Sequence, residues 1–152
     1  MNAQVKNQNV VVTEKLNVLL ADYQLFYQNL RGLHWNVKGS MFFMLHEKFE
    51  EYYNEAAEAV DEIAERILMV GGSPLHTFSA YLKTAGIKEV ENVSDGKEAI
   101  GVVLENSKYL LAQFRNILKI AGETGDEGTA ALMSDFIGST EKRIWMLSSV
   151  LA

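Results

Sequence analysis

The sequence has no cysteine and a single proline. Without cysteine, the chain has no disulfides, thiolate metal ligands or thiol nucleophiles. No apolar run approaches the roughly 18 residues that a membrane-spanning helix needs, and the amino terminus lacks the apolar segment of a signal peptide. These absences predict a soluble cytoplasmic protein. The single proline and the lack of alternating apolar runs favour an all-helical fold.

Basic residues are also few, with 14 against 20 acidic residues and a net charge of −6. An acidic surface repels phosphate backbones, so bulk charge gives no support to nucleic-acid binding. The amino-terminal segment contributes only Lys6, and Leu151 and Ala152 form no basic extension. We therefore expect weak or absent DNA binding.

A chain of 152 residues is long enough for one domain with its own core.

Apolar residues recur at steps of three and four along four segments, which predicts four long helices. The first two span about residues 11–37 and 41–70, with Ser40 as the predicted cap of the second. The third begins at a capping box, Asp95 to Glu98, and ends before a turn at 122–128. The fourth spans about residues 129–151, and a short helix is expected at 77–84. The expected organisation is a flexible polar tail, 1–9, and one helical-bundle domain, 10–152.

Histidines and carboxylates interrupt the apolar pattern of the first two helices. His34 lies on the apolar face of the first helix, where a buried core histidine is the plainer alternative. His46 and Glu50 are four residues apart, as are Asp61 and Glu65, so each pair shares a helix face. A solvated acidic face would also explain the carboxylates. Like charges at this spacing repel, and a bound cation would remove that cost.

Helix geometry decides whether one chain can build such a metal site. Asp61 lies 15 residues beyond His46, which corresponds to roughly 22 Å at a rise of ~1.5 Å per residue. Metal ligands lie only about 2.0–2.2 Å from the ion, so one helix cannot offer both ends to one metal. A two-fold packing of the second helix against its mate can. Imidazole and carboxylate ligands fit Fe(II), Mn or Zn.

The sequence resembles the Dps family, the mini-ferritins named for DNA protection during starvation. Three segments carry the resemblance: His34-Trp35-Asn36-Val37 with Gly39, then His46-Glu47, then Asp61 with Ala64-Glu65-Arg66 before Gly71-Gly72 and Pro74. Glu141-Lys142 and Ile144-Trp145-Met146-Leu147 are similar to the family's carboxyl-terminal pattern. Ordinary di-iron bundles carry Glu-x-x-His motifs, which this chain lacks.

This resemblance implies a ferritin-like four-helix bundle that assembles into a hollow dodecamer. The implied activity is a ferroxidase that oxidises Fe(II) with hydrogen peroxide, and with oxygen less efficiently, and stores the Fe(III) mineral. His34 and His46 would come from one subunit, and Asp61 and Glu65 from its mate. The family usually has Asp where this chain has Glu50 as the remaining ligand. A DNA-condensing or structural shell, and a protein that sequesters Zn or Mn, remain alternatives.

The resemblance also suggests secondary roles for other residues. Trp35 would adjoin the metal site, although simple packing explains it equally well. Glu47 and Glu51 are candidates for mineral nucleation on the inner wall, and ordinary solvated glutamates are the alternative. Three acids are candidates for a pore that draws Fe(II) inward: Asp126, Glu127 and Asp135. His76 is given no role.

Overall fold

A computed structural model describes residues 3–152, except for the side chains of residues 5–8. This part of the chain forms five helices and no strand. The helices are α1 (Ala3–Asn36), α2 (Phe42–Met69), α3 (Phe78–Thr84), α4 (Gly96–Thr124) and α5 (Glu127–Leu151). The four long helices form a bundle in which α1 packs along α2 and α4 packs along α5. The predicted all-α four-helix bundle with a short crossover helix is confirmed. In the described chain, no helix combines the length and apolarity that a membrane span requires.

The helix ends follow mostly from local side chains. The Asp95 carboxylate caps α4 by accepting a hydrogen bond from the Glu98 amide at 3.0 Å, as the capping box predicted. At the end of α2, Gly71 has a φ of 88°, which suits glycine because it has no Cβ. The prediction that Ser40 caps α2 is wrong, because Met41 occupies that position and no side chain caps the helix.

The core is built from the apolar faces that the periodicity predicted. On α2 the buried residues are Leu45, Phe49, Tyr52, Ala56, Ala59, Ile63 and Ile67. Leu151, at the end of α5, lies outside this core and is 39% exposed. The first helix also begins at Ala3, so it includes most of the segment expected as a polar tail. Met1 and Asn2 lie outside the described residues.

Three polar side chains of α1 hold the long crossover between α2 and α4. The Asn17 side chain donates to the Ser73 carbonyl and accepts from the Leu75 amide. Asp22 Oδ1 accepts from the amides of Gly86 and Ile87 at 2.7 and 2.9 Å. Asn29 donates to the carbonyl of Lys88 and accepts from the amide of Val90. The crossover is therefore anchored through side chains in place of regular secondary structure.

Candidate metal centre

The corner between α1 and α2 positions the two predicted histidine ligands. Gly39, with a φ of 105°, lies in the corner, and Lys38 donates its amide to the Ser94 carbonyl at 2.9 Å. This contact ties the corner to the start of α4. The end of α1 and the beginning of α2 are thus held side by side, which brings His34 close to His46.

His34 and His46 form a reciprocal pair. Their rings stack with centroids 3.8 Å apart and an interplanar angle of 12°. Nδ1 of His34 lies 2.6 Å from the carbonyl oxygen of His46, and Nδ1 of His46 lies 2.8 Å from the carbonyl oxygen of His34. His34 is buried, and His46 is half-buried. Each residue therefore fixes the orientation of the other's ring.

These two hydrogen bonds determine which nitrogen of each ring is available. A carbonyl oxygen only accepts, so both Nδ1 atoms must donate. In the neutral imidazole the other nitrogen, Nε2, then carries the free lone pair. A second hydrogen bond that sets the tautomer in this way is typical of metal-ligating histidines. Nε2 is therefore the nitrogen of each ring that is left free to act as a ligand.

Aromatic and acidic side chains surround the pair. Phe42 stacks on His46, with centroids 4.9 Å apart, and the Tyr53 ring meets His34 edge-on at 5.4 Å. The Tyr53 hydroxyl donates to Glu50 Oε1 at 3.4 Å. Desolvation, followed by the charge of Glu50, raises the pKa of Tyr53, which keeps the phenol protonated. Glu50 is therefore linked to the histidine pair through Tyr53, a residue that the sequence analysis did not single out.

The other two predicted ligands lie elsewhere on α2. Asp61 and Glu65 are both exposed, and Asp61 is roughly 22 Å along the helix from His46. Across the described residues, no three histidine or acidic side chains converge as a complete metal-binding group. The chain therefore holds these side chains in two separate groups: the two imidazoles with Glu50, and the two exposed carboxylates.

The predicted secondary residues lie on the exposed surface. Trp35 is 56% exposed, and the Arg31 guanidinium covers its ring at 4.9 Å from the centroid. Glu47 and Glu51 are exposed on α2. Lys48 forms an ion pair with Glu51 at 2.7 Å. Their predicted roles beside the metal and in nucleation stay predictions.

Asp126, one of the three predicted pore acids, has a structural role in the subunit. Its carboxylate caps α5 by accepting from the Thr129 amide at 3.1 Å and the Thr129 hydroxyl at 2.6 Å. The Arg66 guanidinium donates to it at 2.6 Å. Burial alone would raise the pKa of Asp126, but these hydrogen bonds and the Arg66 charge together lower it. Glu127 and Asp135 are exposed and remain candidates for a pore.

Comparison with known proteins identifies the family of this chain. A family model described as a ferritin-like domain matches residues 13–152. The chain is 44% identical to the DNA protection during starvation protein of Porphyromonas gingivalis, over 95% of this chain and 92% of that protein. The chain belongs to the Dps family of ferritin-like proteins.

Crystal structures of Dps proteins share the fold of the whole subunit. The Dps protein of Vibrio cholerae, described as a member of the ferritin-like diiron-carboxylate superfamily, matches with a TM-score of 0.94 and 50% identity. The match covers 96% of this chain and 92% of that one. The Dps protein of Bacillus brevis matches with a TM-score of 0.94 and 36% identity, over 100% of both chains. Membership in the Dps family associates this chain with iron storage and DNA protection.

Proposed function

We propose that this Dps protein is a ferroxidase that oxidises Fe(II) with hydrogen peroxide and stores the Fe(III) inside a dodecameric shell. The observation that carries the proposal is the reciprocal histidine pair, which leaves Nε2 of both His34 and His46 free to bind a metal. Imidazole nitrogen with carboxylate oxygen suits Fe(II), and the chain supplies no soft ligand.

Two copies of the chain complete each site in this proposal. One subunit contributes His34, His46 and Glu50, and its mate contributes Asp61 and Glu65. A two-fold axis between α2 helices places the beginning of one helix beside the later half of the other, and it creates two equal sites. Each site then gathers three carboxylates and two imidazoles around the iron.

Exposed apolar side chains support such self-association. Phe78 and Leu82 on α3 are 83% and 53% exposed, and Phe43 near the start of α2 is 85% exposed. Large exposed apolar groups of this kind mark interaction surfaces. A groove lined by Phe78 and Leu82 also reaches Tyr27 and Arg31 on α1, so the apolar surface adjoins the end of α1 that carries His34.

The reaction follows from charge and electron count. Two Fe(II) ions each give one electron, and peroxide takes both as its O–O bond breaks. With two protons, the products are two Fe(III) ions and two water molecules. Carboxylates at the site favour Fe(III) over Fe(II) because they stabilise the added positive charge. Delivery of both electrons to one peroxide avoids release of a hydroxyl radical.

The test compares Fe(II) oxidation in the wild type and in Asp61→Ala, with Glu58→Ala as the matched control. Both acids are exposed on α2, so the substitutions leave the core of the chain intact. Fe(III) absorbance is followed after stoichiometric peroxide and, separately, after oxygen. We expect Asp61→Ala to lose about tenfold or more of the rate, while Glu58→Ala stays close to wild type. Equal rates in wild type and Asp61→Ala would defeat the site assignment.

Assembly is tested by size-exclusion chromatography with light scattering. The proposal expects a particle of twelve subunits. A stable monomer that still oxidises Fe(II) at the wild-type rate would show that the carboxylates of a mate are not needed. Parallel titrations with Zn(II) and Mn(II) address the alternative of sequestration. Metal binding without turnover of Fe(II) would favour that alternative.

A further inference from the structure

A small charged pocket lies between α2 and α5, and neither His34 nor His46 lines it. Its volume is about 310 Å³, and three cationic side chains line it, Lys48, Lys142 and Arg143. Two carboxylates, Glu51 and Glu55, share the pocket. Its formal charge is therefore positive by one, on a chain whose net charge is −6.

Arg143 is the feature of this pocket that needs explaining. It is only 6% exposed, and its guanidinium contacts the rings of Phe26 and Tyr52 at 5.4 and 5.2 Å from their centroids. Nη1 donates to the Ser107 hydroxyl at 3.5 Å, and Nε has no partner among the described residues. A guanidinium carries five N–H donors, and buried donors without acceptors are costly. The cation is thus held in place, and its Nε–H is a buried donor without an acceptor.

The two carboxylates of the pocket do not form ion pairs with all three of its cations. Lys48 engages Glu51 at 2.7 Å, which neutralises that acid. Glu55 stands 3.6 Å from Arg143 Nη2, and half of its side chain is exposed, so it can turn toward solvent. The structure shows no ion pair for Lys142 within its described part. Lys142 and Arg143 therefore remain available to an anion.

We propose that this pocket binds inorganic phosphate. Arginine offers paired donors that match the oxygens of a tetrahedral oxyanion, and lysine adds a mobile positive charge. The rings of Phe26 and Tyr52 fix the guanidinium in advance, so little order is lost on binding. Bound phosphate would accept hydrogen bonds from Lys142 and from Arg143 Nη2, once the half-exposed Glu55 carboxylate turns away.

A role in mineral formation follows if the proposed storage function holds. Glu51, a candidate nucleation residue, lines the same pocket as the cations. Fe(III) on the carboxylates and phosphate on the cations would then meet in one place, which favours a mineral containing phosphate. This role rests on the proposed function, whereas binding of phosphate to the metal-free protein does not.

The experiment is calorimetric titration of the metal-free assembled protein with inorganic phosphate, at constant ionic strength set by chloride. Wild type should bind saturably, with one site per chain. Lys142→Met should weaken binding roughly threefold, and Arg143→Lys about tenfold, because lysine lacks the paired donors. Glu55→Gln should tighten binding, since it removes a negative charge beside Arg143. The control Lys119→Met, an exposed lysine on α4, should leave the affinity unchanged.

Several results would overturn the proposal. One is the absence of saturable binding, and another is an equal loss of affinity in Lys119→Met and Lys142→Met. Weaker binding by Glu55→Gln would also contradict it. Lys142 and Glu55 are exposed, so their variants keep the test valid if Arg143→Lys misfolds.

Iron loading in the presence of phosphate separates this inference from the proposed function. If phosphate binds but no ferric mineral forms, the proposed storage function is refuted and the phosphate-binding proposal is supported. Alternatively, a mineral forms while Lys142→Met changes neither the affinity for phosphate nor the phosphate-to-iron ratio of the mineral. That result would refute the phosphate-binding proposal and leave the proposed storage function intact.

Discussion

Replacement of Asp126 by alanine tests whether this acid holds the subunit together or draws iron through a pore. In the structure its carboxylate is 15% exposed and accepts from Arg66 and from both the amide and the hydroxyl of Thr129. Thr129 is fully buried. The Thr129 hydroxyl also accepts from Arg66 Nε at 2.9 Å. The substitution therefore removes the carboxylate that accepts three of these hydrogen bonds.

The expected loss of stability can be worked out from these contacts. Loss of the α5 cap costs about 1 kcal/mol. The buried Thr129 hydroxyl loses its acceptor, and the Arg66 guanidinium loses its ion pair, which together add about 1–3 kcal/mol. Because the three contacts share one carboxylate, their costs are not additive. We expect a total decrease in the free energy of unfolding of about 2–4 kcal/mol.

Urea unfolding of the metal-free protein, followed by circular dichroism, measures this loss. All variants must be compared at one protein concentration, because the stability of a protein that assembles depends on its concentration. Asp135→Ala is the matched control: Asp135 is also an α5 acid, but it is exposed, and we expect less than about 0.5 kcal/mol. The rate of Fe(II) uptake is measured on the same samples at moderate temperature.

The pore role and the structural role give opposite patterns. If Asp126 mainly draws in Fe(II), Asp126→Ala and Asp135→Ala should both slow uptake and keep the unfolding midpoint of the wild type. An unchanged midpoint in Asp126→Ala would refute the structural reasoning. The pKa of Asp126 is lowered in the folded state, so its stabilisation is present above the ordinary value of 3.8. The difference between wild type and variant should shrink as the pH falls through the lowered pKa.

Three further predictions concern buried charge, close packing and nucleic acid. Burial raises the pKa of Asp22, although amide hydrogen bonds from Ile87 and Gly86 oppose this. Asp22→Asn keeps an acceptor and removes the charge, so it should stabilise the protein at pH 7 by on the order of 1 kcal/mol. This gain should disappear in acid, where wild-type Asp22 is protonated; a gain that persists would contradict it. A Cβ at Gly72 would collide with the Thr13 side chain, whereas one at Gly122 meets nothing within 4 Å. Gly72→Ala should therefore lower the unfolding midpoint, with a cost of about 1–3 kcal/mol, and Gly122→Ala should raise it; the reverse order would show that the packing argument is wrong. The net charge of −6 predicts weak or no DNA retention in gel shifts at low and moderate salt, and tight retention at both would overturn this.

The fold was predictable because helix periodicity marks each buried face directly. The apolar positions of α2 were recognised from spacing alone, and the capping box at Asp95 gave the start of α4. The start of α1 was not predictable, because the polar residues 3–9 carry no apolar period. Ser40 has the chemistry of a cap, but the backbone of the corner gives that position to Met41. Composition does not encode such corner geometry.

The proximity of His34 and His46 was predictable from the sequence, whereas the contacts between them were not. The spacing of His34 and His46 around Gly39 indicated that they would meet, and the length of α2 indicated that Asp61 lies far away. The exchange of carbonyl hydrogen bonds depends on tertiary packing of the corner. Arg143 was missed because a charged residue in a helical pattern is normally exposed. Tyr53 gave one usable signal, its position seven residues after His46 on the same helix face.

The mutual hydrogen bonding of His34 and His46 affects how mutants of this corner should be interpreted. Nδ1 of each ring donates a hydrogen bond to the carbonyl of the other histidine, and these bonds connect the ends of the two helices. Truncation of either residue to alanine therefore removes both the proposed ligand and this connection. Replacement of a histidine by asparagine, which has a side-chain amide, separates the loss of the free ring nitrogen from the loss of the hydrogen bond between the helices. The asparagine nitrogen occupies nearly the place of Nδ1 and can still donate to the opposite carbonyl, while nothing replaces Nε2. His46→Asn would thus keep the hydrogen bond between the helices while it removes Nε2 and the ring that stacks on His34 and Phe42.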